Sequence, residues 1–161
     1  MRKDVHMQKI TPFIWFEKGA KDAAKFYVKV FGKRSKVKDV STIKNTPSGT
    51  VEVVSLALVG QEFTLMAAGP FRKINEAISF VVNCETQKEV DHFWNALSRG
   101  GEKGQCGWLK DKFGVSWQVV PRILMRLMND RDPVKADRVT QAMLKMRKFD
   151  IAALKAAYKG K

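Results

Sequence analysis

The stretch "GQCGWLKDKFGVSWQVVP", Gly104 to Pro121, decides how this chain is read. It predicts a short strand, a turn at Asp111 to Gly114 and a second strand stopping at Pro121, whose missing N–H suits a strand end. Along that second strand Val115, Trp117 and Val119 point one way, and Ser116, Gln118 and Val120 the other. Gln118, polar inside an apolar strand, has three readings: a remnant of a metal-binding position, a contact to a ligand, or a core amide satisfied by its neighbours.

Upstream of that stretch, "AISFVVN" (Ala77 to Asn83) reads as a strand. Thr86 and Glu89 then form a capping box, in which hydroxyl and carboxylate satisfy amides at a helix start. Val90, Phe93, Trp94 and Leu97 recur at helical spacing, and Gly100 ends the segment. Short strands near Glu102–Gln105, Gly107–Lys110 and Val115–Val120 complete the unit. Its order is strand, helix, three strands.

The first half of the chain repeats that order without sequence identity. "ITPFIWF" (Ile10 to Phe16) is a strand, followed by a helix from about Ala20 to Phe31 with Ala23, Tyr27, Val30 and Phe31 as its apolar stripe. A basic strand is expected at Ser35 to Val40, with Arg34, Lys36 and Lys38 alternating on one face, and then a polar loop over 42–50. "VEVVSLAL" (51–58) and "EFTLMA" (62–67) flank the hairpin signal Val59-Gly60-Gln61. A turn-rich linker, 68–76, separates the halves. The expected fold is therefore α+β, with tandem βαβββ modules at 8–68 and 77–121 inside one domain, 8–121, after a short N-terminal extension, 1–7.

Beyond Pro121 the chain turns helical and basic, giving a tail over 122–161. A short helix is expected around Leu124, Leu127 and Met128. Asp132-Pro133 marks the start of another, since proline suits the first helical turn, with Val139, Met143 and Met146 as its apolar face. Asp150 caps a last helix from Ile151 to Tyr158, carrying Leu154. Such stripes need a surface, either the chain's own modules or a second subunit.

Bulk properties fit one ordinary domain with an appendage. The chain has 161 residues, 45% of them hydrophobic, enough for a core without covalent staples. No apolar run approaches the roughly 20 residues of a membrane span, and the start "MRKDVHMQKI" has no apolar stretch behind its charges, which points to the cytoplasm. Cys84 and Cys106 show no metal or redox spacing, so free thiols in a reducing compartment are expected. The net charge of +14 suggests nucleic acid at first sight. The charges are spread, however, and no recognition motif or aromatic-basic platform accompanies them, so solubility is the preferred reading.

"ITPFIWFEKGAKDAAKFYVKVFG" (10–32), the run 78–121 and "DPVKADRVTQAMLKMRKFDIAALKAAY" (132–158) closely resemble PhnB-like proteins of the vicinal oxygen chelate (VOC), or glyoxalase/bleomycin-resistance, superfamily. Members are often labelled 3-demethylubiquinone-9 3-methyltransferase domains. The resemblance implies paired βαβββ modules making an open, cup-shaped barrel, usually assembled as a homodimer, and a concave cup of that kind is the default place for a small-molecule ligand. The methyltransferase label finds no support in the residues, because the glycine-rich strand-to-helix turn that usually cradles such a methyl donor is missing.

Metal-dependent members of the superfamily carry His or Glu at four strand positions. Carried over, those positions fall on Thr11, Leu65, Ala77 and Gln118, or, with a shifted register, on Phe13, Met66 or Ser79. A working transition-metal site needs about three charged or imidazole donors, and only two histidines exist, His6 and His92. No cofactor and no metal ligands are therefore expected, with a divalent ion held by other donors as the alternative. The candidate lining of the cup is Trp15, Met66, Ser79, Cys106, Trp108, Trp117 and Gln118. Trp15 and Trp117 are also natural core residues, and Cys106 has no histidine beside it to activate a thiolate. The leading function is small-molecule binding in the cup. A metal-dependent lyase, dioxygenase or transferase, and a drug-binding resistance protein, are the alternatives.

Overall fold

The computed structural model describes residues 8–161 as two units, 8–74 and 75–161; the N-terminal extension and His6 lie outside the described residues. The first unit contains β1 (Phe13–Phe16), α1 (Ala20–Phe31), β2 (Lys36–Thr46), β3 (Gly49–Leu58) and β4 (Gln61–Ala67). They form one sheet in the order β1-β4-β3-β2, with β1 parallel to β4 and the other pairs antiparallel. The second unit contains β5 (Phe80–Cys84), α2 (Gln87–Ser98), β6 (Glu102–Lys103), β7 (Trp108–Lys110) and β8 (Ser116–Pro121). Its sheet, β5-β8-β7-β6, repeats the same topology, with β5 parallel to β8. The molecule is thus α+β with two βαβββ modules, and each sheet stays open rather than closing on itself.

Period-two alternation gives each sheet a helix-covered face and an open one. In the first unit Ile14, Phe16, Val54, Leu56, Phe63 and Leu65 are buried on the face over which α1 packs. Ala20, Ala23 and Ala24 on α1 are wholly buried; their small side chains bring helix and sheet close together. In the second unit Val82, Cys84, Leu109, Trp117 and Val119 meet Val90, Trp94 and Leu97 of α2. The Thr86–Glu89 capping box forms as the sequence predicts.

Several boundaries differ from the sequence reading. β1 starts at Phe13, not Ile10, because Pro12 has no N–H to donate; its carbonyl accepts from Thr64 N at 2.9 Å, and Ile10 is 84% exposed. β5 likewise starts at Phe80 rather than Ala77, and β6 ends at Lys103. The expected loop at 42–50 is the end of β2 plus a tight turn at Pro47-Ser48. Thr46 holds it, its Oγ1 donating to Gly49 O at 2.8 Å and accepting from Ser48 N at 3.1 Å. An edge strand exposed on both sides needs no apolar alternation, which is why that stretch reads as loop. Arg34 sits in a left-handed turn, φ 67°, and the pairing slips between Val37 and Asp39, so Arg34, Lys36 and Lys38 share no regular strand face. The β3–β4 hairpin does form where expected, with Val59 and Gly60 both at positive φ.

The tail forms α3 (Ile123–Met128), α4 (Pro133–Leu144) and α5 (Ile151–Lys159). Asp132 and Asp150 cap α4 and α5 through backbone amides. Of the expected stripe on α4 only Val139 is fully buried, and Met146 lies past the helix end. The anchor is instead Phe149, 1% exposed, in the α4–α5 connection. That connection binds the second module: Cys106 N and Gly107 N donate to Met146 O and Arg147 O, each at 2.8 Å. Gln87 donates to Phe149 O and accepts from Ile151 N, and Lys148 pairs with Asp91 at 2.6 Å. Asp91's carboxyl is held below its usual range, first by Lys148 and then by Gln87.

Candidate functional site

The open face of the first sheet carries a recess of about 460 Å³. Its walls include Trp15 of β1, Ile43 of β2, Val51 of β3 and Met66 of β4, closed at one side by the Pro47-Ser48 turn and by Phe71 and Arg72 of the linker. Trp15 and Met66 are paired neighbours in the sheet, so alternation puts both on this face. The linker is held over them by the Trp15 indole, whose Nε1 donates to Gly69 O at 2.8 Å. Gly69 N in turn donates to Glu17 O at 3.0 Å. Gly69 has φ +80°, and a Cβ there would touch the Phe71 ring at 3.4 Å. The glycine thus lets Phe71 fold back toward the recess.

The open face of the second sheet is more polar. Gln118 faces Trp108 across the β7–β8 pair and Val81 across β5–β8, and its Nε2 donates to Ser79 Oγ at 2.9 Å. Beside them lies a smaller recess of about 200 Å³, lined by Glu76, Glu102, Lys103, Trp108, Lys110 and Ser116 among others. Lys110 pairs with Glu76 and, at 3.7 Å, with Glu102. The hydrogen bond from Lys110 keeps the Glu76 carboxyl below its ordinary range, and the same bond raises Lys110. Among the described residues the buried Ser116 hydroxyl has no hydrogen-bond partner.

The seven expected lining residues therefore fall into three groups. Trp15 and Met66 meet on the first open face; Ser79, Trp108 and Gln118 meet on the second. Trp117 and Cys106 belong to neither. Trp117 is the strand neighbour of Gln118 and so points to the opposite, helix-covered face, where it is 3% exposed and its indole donates to Asp111 Oδ2 at 2.8 Å. Cys106, at φ 52°, is tied to the tail, its Sγ donating to Met143 O at 3.7 Å. Ile43, Val51, Phe71 and Arg72 escape the sequence reading, although an exposed aromatic beside a cation in "GPFRK" is a signal that could have found the last two.

The positions carried over from metal-dependent relatives are taken unit by unit, Thr11 and Leu65 in the first and Ala77 and Gln118 in the second. Leu65 is wholly buried on the helix-covered face, Thr11 and Ala77 precede their strands, and only Gln118, a neutral amide, stands on an open face. His92 is exposed on α2 with its ring edge-on to Phe93 at 5.0 Å. Within neither unit do three His, Cys, Asp or Glu side chains among the described residues gather to hold an ion. The donor set at these positions does not fit a divalent metal.

A family model described as 3-demethylubiquinone-9 3-methyltransferase matches residues 8–120. The chain belongs to this family. It is PhnB-like: a Bacillus cereus PhnB protein carrying the same methyltransferase description is 30% identical, with a TM-score of 0.63 over 71% of this chain and 99% of that one. A Pseudomonas aeruginosa protein of known structure is 19% identical, covering 71% and 98%, with a TM-score of 0.59. The genomically encoded fosfomycin resistance protein FosX of Listeria monocytogenes, solved with Mn(II) and sulfate, is 12% identical, covering 69% and 89%, with a TM-score of 0.50. At those identities the last two show the fold alone. No curated protein matches the chain. The family match ends at residue 120, so the helical tail of this PhnB-like chain lies beyond it. No helix among the described residues is long and apolar enough to cross a membrane.

Proposed function

We propose that this PhnB-like chain binds a small organic molecule on the open face of its first sheet and uses no divalent metal to do so. The observation that carries the reading is the recess of about 460 Å³, within the size range of small-ligand sites and walled by apolar and aromatic side chains with few polar ones. Trp15, Met66, Val51 and Ile43 supply contact area, and the linker pinned by Trp15 supplies the rim. Ser79, Trp108 and Gln118 form a second, polar contact surface on the other sheet. The two carboxylates in the recess beside Gln118, Glu76 and Glu102, are both paired with Lys110 and no imidazole lines that recess, which supports a metal-free role. The methyltransferase description names the family; the residues described above contain no glycine-rich cradle for a methyl donor. A cytoplasmic homodimer belongs to the same proposal.

The test follows the Trp15 indole N–H by NMR, assigned with Trp15→Phe, while two-ring aromatic compounds are titrated into the full chain. A saturable shift of that resonance with Kd below about 1 mM is expected; an unmoved resonance across the panel would reject the recess. Elemental analysis of the purified protein and sedimentation check the rest. A stoichiometric bound ion would overturn the metal-free reading, and a monomer at all concentrations the homodimer.

A further inference from the structure

We infer that the recess on the first sheet selects an organic anion, with Arg72 holding the acidic group while Trp15, Ile43, Val51 and Met66 cover the apolar body. The inference rests on the proposed recess reading and adds the charge of the ligand to it. Its basis is the composition of the wall. Among the described residues lining the recess, Arg72 is the one ionisable side chain, and no carboxylate accompanies it. The polar side chains otherwise present are Thr46 and Ser48, and the Thr46 hydroxyl is already engaged within its own turn.

Arg72 itself is available for a ligand. Its Nη1 donates to Phe71 O at 2.9 Å, which orients the guanidinium and leaves most of its donors without a partner among the described residues. A planar guanidinium matches a carboxylate through two parallel hydrogen bonds, and apolar walls strengthen such a pair relative to open water. Trp15 lines the recess and also holds Gly69 O, three residues before Arg72. One side chain therefore fixes both the apolar wall and the segment that bears the charge. The overall charge of +14 favours the approach of anions as well.

Calorimetric titration of the full chain with 2-naphthoate and with its neutral isostere 2-naphthamide tests this. The acid should bind at least tenfold more tightly. Arg72→Met, on an exposed linker, should bring the acid down to the affinity of the amide and leave the amide unchanged, while Arg72→Lys keeps part of the preference. Val51→Phe, filling the recess, should weaken both probes; if that variant melts early, Ile43→Trp on the exposed edge strand fills the same space. Equal affinities in the unaltered protein, or a preference that survives Arg72→Met, would overturn the anion inference while leaving the recess standing. No binding of either probe, or binding indifferent to the filling variants, would overturn both.

Discussion

The indole of Trp117 donates to the carboxylate of Asp111 at 2.8 Å, inside the second unit and six residues away along the chain. The other carboxylate oxygen accepts from Phe113 N at 2.8 Å and Val115 N at 3.1 Å. Asp111 is 2% exposed, so these donors replace water for a buried acid and tie the β7–β8 turn to the core. The tryptophan that looked like a ligand platform instead supports the strand on which Gln118 stands.

Asp111→Asn should therefore destabilise the protein by about 2–3 kcal/mol, because the new amide turns a donor toward groups that are themselves donors. Urea unfolding measures it. An unchanged midpoint would show that the carboxylate contributes nothing net.

Gly107→Ala should cost about 2 kcal/mol or more and loosen the tail. A Cβ at Gly107 would lie 2.5 Å from Phe149 Cε2 and 2.7 Å from Val119 O, at φ +79°; the ring can move but the backbone oxygen cannot. Limited proteolysis should cut the variant near residues 145–150 faster than the parent, and equal cutting would refute the clash.

Burial pushes the Cys84 thiol from the ordinary 9.0 up to about 12, with Glu89 adding to the effect. The unfolded chain loses this proton near pH 9 and the folded one does not, so stability should decline from about pH 9 upward. Cys84→Ala should flatten that decline. In native protein at pH 8 a thiol reagent should modify Cys106 and spare Cys84, which has no exposed surface; equal rates for the two would contradict the burial.

Ser79→Ala removes the acceptor of the Gln118 amide and should lower stability by about 1 kcal/mol. Gln118→Glu should be tolerated, since the Ser79 hydroxyl can turn to donate, and should still show no stoichiometric nickel or zinc by calorimetry. Tight metal uptake by that variant would show that Glu76 and Glu102 can leave Lys110 for an ion, against the metal-free reading.

The sheets, both module helices and the tail caps were legible because each rests on local chemistry. The Thr86–Glu89 capping box, Val59-Gly60 at the hairpin and Asp132-Pro133 before α4 are such signals. What escaped depends on long-range placement. The end of β2 looked like loop because an edge strand satisfies only one side of its backbone and tolerates polar residues. Phe149 drew no reading from the sequence because its partner, Gly107, lies far off along the chain. The candidate site divided for a similar reason: strand parity separates Trp117 from Gln118, yet composition alone treats both as lining. Leu65 shows how a shift of one residue exchanges a covered face for an open one.

In each module the opening strand lies parallel to the closing one, so Phe13 pairs with Thr64 and Phe80 with Trp117. During synthesis the opening strand of a module must wait, unpaired along that edge, until the rest of the module has emerged. The wait is longer for the first module, with a partner some fifty residues away, than for the second, at under forty. Closing the longer loop carries the larger entropy cost, so when the full-length chain refolds from the unfolded state the N-terminal half should be slightly the slower of the two to acquire its native sheet, although during synthesis it is complete first.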